Sequence, residues 1–162
     1  MTIQMIGKEV HARREKAGLS KARLAKLSKL SRQTVHGLEE GSLQDINFKS
    51  LSNLLSILGS FDPLTSARRK KKKALWMAAK SSSVSYRTEL TSDNLQQALS
   101  TGKVLAGFEA NLRHFLDESP IQLVVMSVEE AAQQTSVKPQ KIWKNIAKLA
   151  KELGATRNEL WA

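Results

Sequence analysis

The chain of 162 residues is long enough for one ordinary domain or two small ones with a modest core. It contains no cysteine, which excludes a disulfide frame and a thiolate metal site. The formal net charge of +11 is segregated: residues 1–80 carry 17 Lys/Arg against 6 Asp/Glu, whereas residues 81–162 carry 9 of each. A basic half joined to a neutral half points to an anion-binding module fused to something with a different task.

The first sixty residues read as short helices. Ile6, Val10 and Ala17 fall near one face of a first helix, with Gly18 as its stop. Ser20 caps a second helix over 21–28, where Leu24, Ala25 and Leu27 point inward, and Ser31 caps a third from Arg32 to about Glu40, ended by Gly41. Asn47 caps a fourth, with Phe48, Leu51, Leu54, Leu55 and Leu58 along an apolar stripe. No strand signal interrupts this stretch.

The composition then changes. Arg68 to Lys73 places six cations in a row, "ALWMAAK" reads as a short helix and "SSSVSY" as a linker. Helices resume at Thr91, with Ser92 or Asp93 as a cap and Gly102 as an interruption; Phe108, Leu112, Phe115 and Leu116 mark an amphipathic helix that stops near Pro120. "IQLVVM" is a strand, a buried helix or a connector by its composition. Ser127 with Glu130 has the spacing of a capping box, and a last helix follows Pro139, with Ile142, Ile146, Leu149, Ala150 and Leu153 on one face. The domains expected are 1–60, a basic linker over 61–90, and a helical domain over 91–162. The fold class expected is all-α. The longest apolar run, from Ile121 to Val128, is too short to cross a membrane, and no secretory signal opens the chain, so a soluble cytoplasmic protein is expected.

Two helices joined by Lys29-Leu30-Ser31 have the form of a helix-turn-helix, whose second helix enters the major groove. That form needs a small residue at the helix crossing, an apolar turn residue and an apolar inner face, which Ala25, Leu30, Val35 and Leu38 supply. Arg32, Gln33, Thr34 and His36 are left pointing outward, where they can reach base edges; Arg suits guanine and Gln suits adenine. Lys21, at the start of the second helix, joins a cation to free backbone amides and is a candidate phosphate contact.

Taken together, residues 3–60 resemble the XRE helix-turn-helix family, the phage repressor and Cro type. The resemblance implies a lambda-repressor-like bundle of four or five helices that binds a palindromic operator in double-stranded DNA as a homodimer. It places the base-reading positions on Arg32 and Gln33 and the phosphate contact on Lys21. It also implies a structural ion pair between Arg14 and Glu39. Gly37 stands where family members often carry a long base-reading side chain, and Lys29 stands where they usually have a turn glycine.

Two further regions are candidates for DNA contact. The basic run, represented by Arg68, Arg69 and Lys70, either engages phosphates without sequence preference or is a solvated linker. Residues 128–153 repeat the opening spacing, since Ala132, Val137 and Ile142 match Ala25, Leu30 and Val35, and Lys141, Lys144, Lys148 and Lys151 share one helix face. Because Asn145 occupies an expected apolar position, packing or oligomerisation is the favoured role there. Phe108, Leu112, Phe115, Trp143 and Trp161 are the apolar residues expected to serve a dimer interface in the neutral half.

Nothing in the sequence has the spacing of a catalytic or metal site. His11, His36 and His114 are scattered, and "STGK" at Ser100 lacks the rest of a phosphate loop. No enzyme activity and no cofactor are expected. The chain also resembles XRE-type antitoxins, which implies an autoregulating repressor that holds a toxin enzyme through its C-terminal half, encoded by a bacterium or phage. The alternative is a phage- or plasmid-type or ligand-responsive regulator with no toxin partner.

Overall fold

The computed structural model describes residues 1–59 and 73–162. The chain divides into two compact units, Met1–Arg69 and Lys70–Ala162. All regular structure among the described residues is helical.

The first unit contains α1 (Ile3–Lys16), α2 (Lys21–Ser28), α3 (Arg32–Glu40) and α4 (Phe48–Ile57). Each begins where a side-chain oxygen can satisfy an orphan amide: Thr2, Ser20, Ser31 and Asn47 accept from the backbone of the first turn. Such caps contribute roughly 0.5–2 kcal/mol each, which matters most for α2, α3 and α4, helices of only two or three turns. Val10, Ala17, Leu24, Ala25, Leu27, Val35, Leu38, Leu54 and Leu55 form the core. Leu51, expected among them, is only half-buried.

The close packing of α1 on α3 rests on Gly7. A Cβ at this position would lie 2.0 Å from the Leu38 carbonyl oxygen, so any side chain would force the two backbones apart.

The second unit contains α5 (Ala74–Ser81), α6 (Ser92–Thr101), α7 (Glu109–Glu118), α8 (Ile121–Thr135), α9 (Pro139–Glu152) and the single turn α10 (Asn158–Trp161). It starts earlier than the domain expected from residue 91. Ala74, Leu75, Ala78 and Ala79 are buried as α5 packs against α6, α7 and α8, so this helix is part of the body rather than of a linker.

The expected capping box at Ser127 is not formed. Ser127 lies inside α8, where its hydroxyl donates back to the Leu123 carbonyl at 2.8 Å, and "IQLVVM" is the start of the same helix, with Val124 and Val125 buried and the rest half-buried. Glu130 serves a different helix: its carboxylate accepts from the Leu75 amide at 2.8 Å, at the start of α5, which has no side-chain cap of its own. Thr91, rather than Ser92 or Asp93, caps α6, in a reciprocal box with Asn94.

Trp143 and Trp161 stack at 6.3 Å between ring centroids, and the Trp161 indole donates to the Leu116 carbonyl at 3.0 Å. Arg157 lies over the Trp161 ring and donates to the carbonyls of Leu116 and Ser119, both at 2.9 Å, so the last turn of the chain closes the C-terminus of α7. Burial lowers the Arg157 pKa, against the opposing pull of Asp117 and Glu118.

Leu112, Phe115, Trp143 and Trp161 are all buried inside this unit, and Phe108 is half-buried. The four buried residues belong to its core and are not available as a dimer surface, a correction that follows from α7, α9 and α10 packing on one another. The large apolar side chains that this unit does expose include Trp76 and Met77 on α5, at 52% and 51%.

Candidate nucleic-acid interface

α2 and α3 are joined by three residues. Lys29 ends α2 in the left-handed region, with φ 59°, Leu30 is half-buried beneath the turn, and Ser31 caps α3. A positive φ costs a side-chain-bearing residue about 1 kcal/mol, and here two amides repay it in hydrogen bonds: Lys29 N–H donates to Lys26 O and Leu30 N–H to Ala25 O. The turn therefore keeps the geometry expected of glycine without having one.

One face of α3 is turned to solvent. Arg32, Gln33, His36 and Glu40 are exposed along it, within roughly 100° of arc, while Val35 and Leu38 are fully buried on the opposite side. Thr34 is half-buried and shares a 2.7 Å hydrogen bond with the capping Ser31 hydroxyl, which leaves it at the margin of the face. Gly37 is covered by Ser42 and Leu43; an added Cβ would make only ordinary contacts with them, so space does not demand a glycine here.

Lys21 reaches this face from the start of α2. Its ammonium donates to His36 Nδ1 at 2.9 Å and to Glu40 Oε1 at 3.3 Å. The cation is thus already tied to α3, and an incoming phosphate would have to compete with Glu40 for it. Sequence spacing did not reveal this contact, which depends on how closely α2 and α3 cross. Among the described residues, neither Arg32 nor Gln33 has a hydrogen-bond or ion-pair partner, so both side chains are free to engage a ligand.

Behind the face, Arg14 and Glu39 form the ion pair that the resemblance implied. Arg14 Nε donates to Glu39 Oε1 at 2.6 Å and Nη2 to Oε2 at 2.9 Å, a two-pronged contact, with side chains only 6% and 1% exposed. Arg14 Nη1 also donates to the Leu19 carbonyl at 2.8 Å, and Glu15 pairs with it at 2.8 Å. His11 Nδ1 lies 2.9 Å from Glu39 Oε2. The hydrogen bond to Glu39 raises the Arg14 pKa despite burial. Burial by itself would raise the Glu39 pKa, but the bonds from Arg14 and His11 outweigh it and hold the carboxyl below its ordinary range. The pair locks α1 to α3 and so fixes the angle at which the exposed face is presented.

Arg68, Arg69 and Lys70 lie outside the described residues. Of the six-cation run only Lys73 falls within them, exposed at the start of α5. No group of three or more His, Asp or Glu among the described residues could hold a metal ion, and no helix there is long and apolar enough to cross a membrane.

A short capped helix pair, a tight left-handed turn, and an exposed second helix with unpaired Arg and Gln define a helix-turn-helix. Residues 10–64 match the helix-turn-helix family, and the first unit is a helix-turn-helix domain of the XRE type. The protein is accordingly a DNA-binding transcription regulator. No curated protein and no solved structure matches the chain.

Proposed function

We propose that the protein is a sequence-specific repressor that reads a palindromic operator through Arg32 and Gln33, with His36 and Thr34 at the edges of the contact. The observation that carries this reading is the unpartnered Arg32–Gln33 pair at the exposed N-terminal end of α3. An Arg can bond guanine O6 and N7 together, and a Gln can do the same with adenine N6 and N7. With Gly37 contributing no side chain, one α3 reads few base pairs. Specific affinity then calls for two copies on half-sites about 34 Å apart, or a multiple of that.

Repression of its own operon, as an antitoxin, is the finer form of this proposal. It is supported by a second unit with its own core, a body able to hold a protein partner while the first unit holds DNA. The exposed Trp76 and Met77 on α5 give that body an apolar patch for a second copy or for a toxin enzyme. A regulator without a toxin partner is the alternative. Selection of bound sequences from a random duplex pool tests the operator reading: a two-fold symmetric motif supports it, and a featureless pool rejects it. Co-expression with the product of the adjacent reading frame tests the antitoxin form, which requires that product to arrest growth alone and to be silenced by this protein.

A further inference from the structure

Among the described residues, only Lys29 and Ser136 adopt a positive φ without being glycine, at 59° and 60°. They occupy the same place in two similar motifs. α2 and α3 are separated by Lys29-Leu30-Ser31, and α8 and α9 by Ser136-Val137-Lys138. In each, the first residue is left-handed, the second is a half-buried aliphatic, and the third is an extended residue that begins the next helix. Val35 and Ile142, the fourth residues of the two second helices, are both fully buried. Strain of this kind at two matching positions is a recurring backbone solution, used the first time to present a DNA-contacting helix.

What α9 presents is charge. Lys141, Lys144, Lys148 and Lys151 are all exposed, within a sector of about 80° and over about 15 Å of helix. The opposite side is packed, with Ile142, Trp143, Asn145, Ile146, Leu149 and Ala150 buried. The only carboxylate on the helix, Glu152, lies 3.9 Å from Lys148, and among the described residues Lys141, Lys144 and Lys151 have no acidic partner. The half that is neutral in total is therefore sharply basic along this one edge.

We propose that α8 and α9 form a second helix-turn-helix whose lysine row binds the phosphate backbone of duplex DNA. The register explains why phosphates rather than bases are the target. Trp143, at the position of the exposed His36, is buried against Trp161, and Asn145 is committed to the end of α6, so the face left open is turned toward the lysines. Lysine ammoniums act as point charges along a strand and add affinity without sequence preference. This goes beyond the operator reading by α3 and does not depend on it.

The test uses the full chain with Lys141, Lys144, Lys148 and Lys151 all changed to Gln, and a matching set changed to Arg. Binding to a duplex of random sequence is measured across salt. The Gln set should flatten the slope of log K against log salt by roughly 0.9 for each phosphate no longer neutralised, while the Arg set keeps it. An unchanged slope in the Gln set overturns the proposal, including the case where the variant fails only to hold an acidic protein partner; so does an equal fall in both sets. Failure of the α3 reading would show separately, as an operator-to-random affinity ratio that Arg32→Ala leaves intact.

Discussion

The two helix pairs, α2–α3 and α8–α9, solve the same geometric problem with opposite chemistry. In the first unit the second helix is held by a buried charge pair, Arg14 with Glu39. In the second it is held by a neutral amide: Asn145 Nδ2 donates to the carbonyls of Leu99 at 2.8 Å and Ser100 at 3.1 Å, near the C-terminus of α6. A buried carboxylate and guanidinium hold a helix firmly only while both are charged, whereas an amide is indifferent to pH. The difference also shapes the surface. Glu39 anchors α3 from beneath and leaves Arg32 and Gln33 open, whereas Asn145 and Trp143 commit more of α9 to packing and leave only its lysine edge.

The largest expected effect follows from removing half of the charged anchor. Glu39→Ala leaves the buried Arg14 guanidinium with only the exposed Glu15 carboxylate and the Leu19 carbonyl, and should destabilise the first unit by up to about 3–5 kcal/mol. All three tryptophans, Trp76, Trp143 and Trp161, lie in the second unit, so the loss should register in far-ultraviolet dichroism and in amide exchange of residues 1–59 while tryptophan fluorescence is unmoved. Fluorescence changing in step would show that the two units do not unfold independently.

Asn145→Ala is the counterpart. The buried Leu99 carbonyl and the half-buried Ser100 carbonyl lose their donor, at a cost of roughly 1–3 kcal/mol, and here the tryptophan signal should shift to lower denaturant. Gly102→Ala probes the same contact from the other side, since its Cβ would sit 2.7 Å from Asn145 Oδ1 at a φ of +71°. Retention of full stability in both variants would remove the amide from its anchoring role.

Arg32→Ala should cost about 1–3 kcal/mol of operator affinity if the guanidinium bonds one guanine with both prongs, and leave folding unchanged. Titration against operator and scrambled duplexes checks it; equal loss on both would assign Arg32 to phosphate instead.

Acid should separate the two anchors. The Glu39 carboxyl is held below its ordinary value of 4.5, so its contribution is fully present above that value and is lost as pH falls through the lower, folded value. The first unit should therefore lose more stability below pH 4.5 than it does in a Glu39→Gln variant. Denaturant midpoints from pH 7 to pH 3 measure the difference, and parallel curves would deny the pair its linkage. The smallest effect expected is a gain: Glu40→Gln frees Lys21 from a competing carboxylate and should strengthen DNA binding by about 0.2–1 kcal/mol, read from the same duplex titrations.

Much of the first unit was legible in the sequence because its signals are local. Ser20, Ser31 and Asn47 sit where helices start, Gly41 where one stops, and the inward spacing of Ala25, Val35 and Leu38 needs no knowledge of distant residues. Arg14–Glu39 could be named only through the family resemblance, since nothing local joins two residues twenty-five apart. In the second unit the decisive contacts are long-range. Composition left "IQLVVM" undecided because six residues with a single polar member show neither a helical nor an alternating period, and Ser127 resembles a cap until the helix is seen to run through it. Asn145 looked like a flaw in an apolar face because its partners, the carbonyls of Leu99 and Ser100, lie more than forty residues away. The aromatic residues on α7, α9 and α10 could be assigned to an interface or to a core only once those helices were packed, because an apolar side chain signals that it must be covered but not by what. Sequence alone thus determined where α2, α3 and α4 begin, where α3 ends, and which face of α3 meets solvent. Tertiary structure alone decided that Lys21 is tied to Glu40, that Asn145 belongs inside, and that the lysines of α9 stand clear on an open edge.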